Sequence, residues 1–384
     1  MFDKLISHMK TKSHSPPTPS LKSDRDARHR QQNDQPCLAS AYSRLSKIGF
    51  TRKFIRNTIL PSWVCDQAEK DPDVFPELAL FLGKALGISS RSLSDPSGPL
   101  VFCNPSPARY KPATGTVLAE ERIIPAKTVN QQIALEVEAC LPRHPAFVAS
   151  ELDPIQIRNY ILASSKKLDF KSLLAYCWHL GIAVLPAVDL HSSSALKFTG
   201  MITWQKDRPF IFLRGNAKDT AWGLFVLAHE LAHLALEHVK QGDAAFLEES
   251  CDLSSISDEE VAANEWALLL ILGENRNAMN DFVSLTSKIT AKQLAARASK
   301  EESLIGVDAG FLILKSAWER SSKAVDQATK NAAWPTARAA LKEPSIHNEH
   351  TKPLMLDALR IRGDLSNLST DERELVIRAL GLDK

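Results

Sequence analysis

The chain carries His229-Glu230-Leu231-Ala232-His233, two imidazoles four residues apart with a carboxylate beside the first. On an α-helix a four-residue step turns by about 40°, so both rings face one way and can share a metal ion. Glu230 lies about 60° from His233, close enough to reach a water near that ion. Neutral histidines suit zinc and an adjacent carboxylate suits a general base, the combination that metal-assisted peptide hydrolysis needs. Buried without a metal, the same three groups would be costly unless all were hydrogen-bonded. A catalytic zinc site takes a third protein ligand. Glu260 is the candidate: it precedes Ala263 by three residues, and that small side chain lets a second helix come close. Glu259 is the alternative, because an acidic helix start does not define its own register.

These residues need rigid elements to hold them. The apolar run Trp222 to Leu236 predicts the first helix, with Asp219 and Thr220 as cap residues after Gly215-Asn216, and Leu224, Leu227, Leu231 and Leu234 at helical spacing. If that helix continued, His238 would lie about 180° from His229 and point away from the metal. Asp258 to Leu269 reads as the second helix. Ile182 to Leu185 reads as a short buried strand, and Met201 to Trp204 with Phe210 to Leu213 as a β-hairpin. Substrate backbones commonly add to a strand beside an active-site helix, and Phe210, Ile211, Phe212 and Leu213 are the expected strand. The hairpin's other role would be a structural cover.

The two motifs, His229-Glu-Leu-Ala-His233 and Glu260-Val-Ala-Ala263-Asn264-Glu-Trp266-Ala267, resemble those of the ImmA/IrrE family of metallo-endopeptidases. That family's pattern is H-E-x-x-H followed by E-x-x-A-N-x-F-A; Trp266 replaces the usual Phe, and the match puts Glu260 rather than Glu259 in the ligand position. The resemblance runs from about Pro154 to Gly273 and more weakly to about Ala340. It implies a gluzincin-like fold, His229, His233 and Glu260 as ligands of one zinc ion, and Glu230 as the base. It further implies cleavage of a transcriptional repressor that controls stress-response or mobile-element genes. His/His/Glu sites accept several divalent metals, manganese included.

With 384 residues and 44% hydrophobic content, the chain can bury a large core and form more than one domain. A net charge of +2 selects no partner class. No apolar run approaches a membrane span, no secretory signal stands at the start, and the six cysteines lack C-x-x-C pairs, so a cytoplasmic protein with reduced thiols is expected. The expected class is mainly α with a small β-sheet (α+β). Residues 1–37 read as a disordered basic arm, 38–93 as a helix-turn-helix-like domain, 94–125 as a Pro- and Gly-rich linker, 126–275 as the metallopeptidase domain and 276–384 as a helical region. Between Leu38 and Cys65 stand Arg44, Lys47, Arg52, Lys53 and Arg56 with no acidic residue, a DNA-facing pattern whose recognition helix would be Arg52 to Thr58. The stretch Gly49 to Trp63 also looks like the divergent repressor-type region attached to some ImmA/IrrE proteins. A protein-docking unit is the competing reading. At the level of function, the alternative to a peptidase is a DNA-binding or antitoxin-like regulator in which the peptidase fold is a sensor. Oligomeric state is not encoded in any motif.

Overall fold

A computed structural model of the chain describes residues 36–103, 109–111, 123–190, 198–214, 219–243, 245–248, 257–274, 282, 290–323 and 327–383. The expected arm at 1–37 lies almost wholly outside the described residues. The fold is mainly helical with one five-stranded sheet, as the α+β expectation required.

The sheet runs in the order β1 (Arg109–Lys111), β5 (Phe246–Glu248), β3 (Gly200–Gln205), β4 (Arg208–Leu213), β2 (Ala183–Pro186). β3 is antiparallel to both its neighbours, whereas β1 with β5 and β2 with β4 are parallel. β2 is buried at every residue, which explains its unbroken apolar sequence. β3 and β4 form the expected hairpin, closed at Lys206, whose φ of 53° is left-handed.

Two expectations change here. Phe210, Ile211, Phe212 and Leu213 do not form an open edge: β4 is paired on one side to β2 and on the other to β3, and all six of its residues are buried. Its backbone is therefore committed and cannot receive a substrate strand there. The stretch expected as a linker, 94–125, contributes β1 to the sheet.

Helix α8 (Thr220–Ala235) packs on β3 and β4 and against α9 (Asp258–Leu272). Asp219 caps α8 by accepting the Trp222 N–H at 2.8 Å, and Ser257 caps α9 through the Glu260 N–H. Ala228 and Ala232 on α8, and Ala263 and Ala267 on α9, are completely buried. Small residues on both helices let the backbones approach, as inferred for Ala263. Further cover comes from α7 (Phe170–His179), α11 (Ala309–Lys323) and α13 (Thr351–Arg362). Among the described residues, no helix is long and apolar enough to cross a membrane.

The N-terminal helices are α1 (Leu38–Lys47), α2 (Arg52–Phe54, continuing as a π-helical turn Ile55–Ile59), α3 (Phe75–Leu86) and α4 (Ser90–Ser94). They do not stand apart from the rest of the chain. The last helix, α14 (Thr370–Leu380), packs on the π-helical turn, where the Arg378 guanidinium donates to the carbonyls of Arg56 and Leu60. Ser62 N–H donates to Glu374 at 2.8 Å in the same contact. Lys84 of α3 bridges Glu372 of α14 and, at 3.1 Å, Glu136 of α5 (Ile124–Cys140).

The Lys84 ammonium, with the Ser369 hydroxyl, holds the Glu372 carboxyl down at about 2, against an ordinary value of 4.5. A depressed carboxylate contributes stability that is complete above its unfolded value and lost as pH falls toward its folded one. The Glu372→Gln protein should therefore unfold at a lower temperature than wild type at neutral pH, with the two curves converging as pH drops from 4.5 toward 2. Thermal melts across that range check it; a constant difference down to pH 2 would contradict the assignment.

Candidate metal centre

His229 and His233 lie one helical turn apart on α8, and Glu260 reaches them from the first turn of α9. The three side chains form the one group among the described residues with metal-ligand chemistry, their ligand atoms all within 4.8 Å of one another. His229 Nε2 is 3.0 Å from His233 Nε2 and 3.1 Å from Glu260 Oε2, and His233 Nε2 is 3.4 Å from Glu260 Oε1. Zinc bonds of roughly 2.0 to 2.1 Å in tetrahedral arrangement put neighbouring ligand atoms about 3.3 Å apart. The donor set thus has the dimensions that such an ion requires.

Proton bookkeeping leads to the same fit. Asn264 Oδ1 accepts from His229 Nδ1 at 3.0 Å, which puts the ring proton on that nitrogen and leaves the Nε2 lone pair facing Glu260. His233 Nδ1 is 2.9 Å from His238 Nδ1, so with its proton on Nδ1 its own Nε2 lone pair faces the same point. Two imidazole nitrogens and a carboxylate converge on one point, a donor set that a divalent cation would satisfy. Asn264 and Glu260 are four residues apart on α9, hence on one face, and this spacing was the available sign that Asn264 belongs to the site.

The structure corrects the position expected for His238. Helix α8 ends at Ala235, Glu237 takes a left-handed φ of 54°, and the His238 N–H bonds back to the His233 carbonyl at 2.9 Å. The ring returns to His233 instead of pointing away. No glycine or proline marks this turn, so helical spacing alone extends the helix too far. His238 meets the Nδ1 side of His233, opposite the nitrogen that faces Glu260, and so supports the ring from behind.

Glu230 is completely buried and stands against Gly200, the first residue of β3. A Cβ at Gly200 would fall 1.7 Å from Glu230 Oε1, so no other residue fits there without moving the carboxylate. A glycine opening a predicted strand is the sequence sign of such close approach. Phe225 and Phe246 supply aromatic walls, with ring centroids 6.0 Å from His229 and 4.7 Å from His233.

The N-terminal cationic residues are spent differently. Arg44 donates to the carbonyls of Ser92, Leu93 and Gly98. Arg52 and Arg56 pair with Glu69 at 2.8 and 2.9 Å, and Arg56 also with Asp66 at 2.6 Å. Glu69 is buried and accepts the Tyr42 hydroxyl as well. Burial, then this carboxylate, raises the Tyr42 pKa well above its usual value. The acid-free window from Leu38 to Cys65 stops just short of the carboxylates that neutralise it. Lys47 and Lys53 remain exposed.

A paired His/His/Glu set on two packed helices, roofed by a small mixed sheet, is the arrangement of a metallopeptidase-type domain. Residues 179–299 match the peptidase family model described as the IrrE N-terminal-like domain, which falls within the stretch that resembles the ImmA/IrrE family in sequence. The family implies a metal ion, for which the His/His/Glu group is present. No curated protein matches the chain.

If His238 and Asn264 orient the two rings, removing either should weaken metal binding without unfolding the protein. Partners behind metal-ligating histidines are commonly worth about 10- to 100-fold in affinity. Competition titration of zinc against a chromogenic chelator should show losses of that order for His238→Ala and Asn264→Ala, with apo-protein melting points close to wild type. Affinities equal to wild type would remove these residues from the site.

Proposed function

We propose that the protein is a zinc-dependent, site-specific endopeptidase that cleaves a regulatory protein, a transcriptional repressor being the leading substrate class. His229, His233 and Glu260 hold the metal and Glu230 is the general base. The observation that carries this reading is Glu230 itself: a metal site needs only the three ligands, yet a second, fully buried carboxylate is fitted beside them against a glycine. Bound zinc would supply a Lewis acid that polarises the scissile carbonyl and acidifies the attacking water. Glu230 takes the proton of that water and returns it to the departing amine, one carboxylate serving both steps. Asn264 and His238 keep the Nδ1 protons in place, so the rings stay neutral and oriented. The repressor as substrate, and stress-response or mobile-element genes as the regulated set, rest on the family resemblance.

A second reading draws on the burial of all four side chains, His229, Glu230, His233 and Glu260. In it the domain is a sensor or partner-binding module within a transcriptional regulator and cleaves nothing. That reading leaves Glu230 without a task. DNA binding through the N-terminal helices has little support from the internal pairing of Arg44, Arg52 and Arg56, which favours a protein-docking unit.

Glu230→Gln decides between the two. The variant should keep its fold and metal but lose cleavage by about 10²- to 10⁴-fold, the usual contribution of a positioned base. Mapping new protein N-termini by mass spectrometry in cells making either form, with and without stress, reads the outcome. A few cuts confined to wild type would name the substrate. Identical N-termini under every stress would favour the sensor.

A further inference from the structure

β3 is the strand that borders the catalytic carboxylate, because Gly200 abuts Glu230. One of its edges is taken by β4 along the whole strand; the other is paired to β5 over Gly200–Ile202 alone. Phe246 lies opposite Ile202 in this antiparallel ladder and sets its ring against His233 at 4.7 Å. Ala245, Phe246 and Leu247 are buried, and His229, Glu230 and His233 are each 0% exposed. The edge of β3 beside Glu230 is not open to an extended polypeptide while β5 is in place.

We infer that β5 occupies the position of the substrate strand: a substrate binds by replacing it, antiparallel to Gly200–Ile202, with a bulky apolar side chain where Phe246 now lies against His233. The inference rests on the peptidase reading and adds to it the class of segment recognised and the reason the site is closed. Main-chain pairing to β3 gives such a segment its grip, and the Phe246 position gives selectivity. Release of β5 is within reach of the architecture. Among the described residues β5 holds to β3 through three residue pairs and β1 pairs with β5 alone, so both short strands can leave while β2, β3 and β4 stay paired. Strands of three residues are marginal unless packing supports them, and here Phe246 and Leu247 supply it.

Met201 and Leu247 are partners across the β3–β5 ladder, so Met201→Cys with Leu247→Cys allows a reversible staple. The probe is a fluorescent peptide copying residues 242–250, followed by anisotropy on metal-free protein. Phe246→Ala, which loosens β5 and leaves every donor atom, should bind the peptide about tenfold more tightly than wild type. The oxidised staple should abolish binding and reductant should restore it; the peptide with alanine in place of its phenylalanine should not bind. In zinc-loaded protein the oxidised staple should also slow metal release to a chelator by about tenfold relative to its reduced form. Peptide binding or metal release indifferent to the staple overturns the role given to β5. Failure of wild type to take up zinc would instead sink the peptidase reading, while the peptide measurement, made without metal, would still judge β5.

Discussion

Three electron pairs aimed at one point are the constraint around which this fold is arranged. His229 Nε2, His233 Nε2 and a Glu260 oxygen sit 3.0 to 3.4 Å apart in a volume closed to solvent. Acceptors brought together in a low-dielectric interior repel one another, and a shared cation would turn the arrangement from a cost into a gain. Everything near the point acts to keep the geometry from relaxing. The alanines of α8 and α9 let two backbones close up, the caps at Asp219 and Ser257 start both helices in register, and Asn264 and His238 fix the far side of each ring. The sheet contributes a glycine where any side chain would collide with Glu230.

The parts of this arrangement that were legible in the sequence are those governed by local periodicity. The i, i+4 histidines, the α9 helix and the β3–β4 hairpin each follow from side-chain spacing within about 15 residues. Selection of Glu260 over Glu259 needed the family pattern, since an acidic helix start offers both. What periodicity could not reveal was anything decided by which elements meet. β4 reads as a strand but not as an interior one, because its two partners lie on either side of it in the chain. The turn at Glu237 replaces an extra helical turn and reverses the direction of His238. Glu69 folds beneath Arg52 and Arg56 and offsets part of the basic face of the N-terminal helices, while Lys47 and Lys53 stay exposed. Charge counted along a chain says little until the partner across space is known.

The four side chains are buried under the sheet, and on the peptidase reading proposed above such burial favours selectivity over throughput. On that reading, enclosure by Phe225, Phe246 and the short outer strands would set a conformational requirement before any chemistry, a common way to restrict an enzyme to one partner. A net charge of +2 agrees with this, since it provides little long-range attraction that would gather substrates indiscriminately.

The clamp between Arg378 and the carbonyls of Arg56 and Leu60 joins residues separated by 322 and 318 positions. At typical synthesis rates of about 5 to 20 residues per second, the early helices emerge tens of seconds before the segment that covers them exists. During that interval α1 to α4 can form their own hydrophobic contacts while the end of the π-helical turn faces water, an unfinished surface on a growing chain. Covering of that surface is thus tied to the arrival of α14, and a chain halted before α14 would carry His229, His233 and Glu260 together with an uncovered π-helical turn.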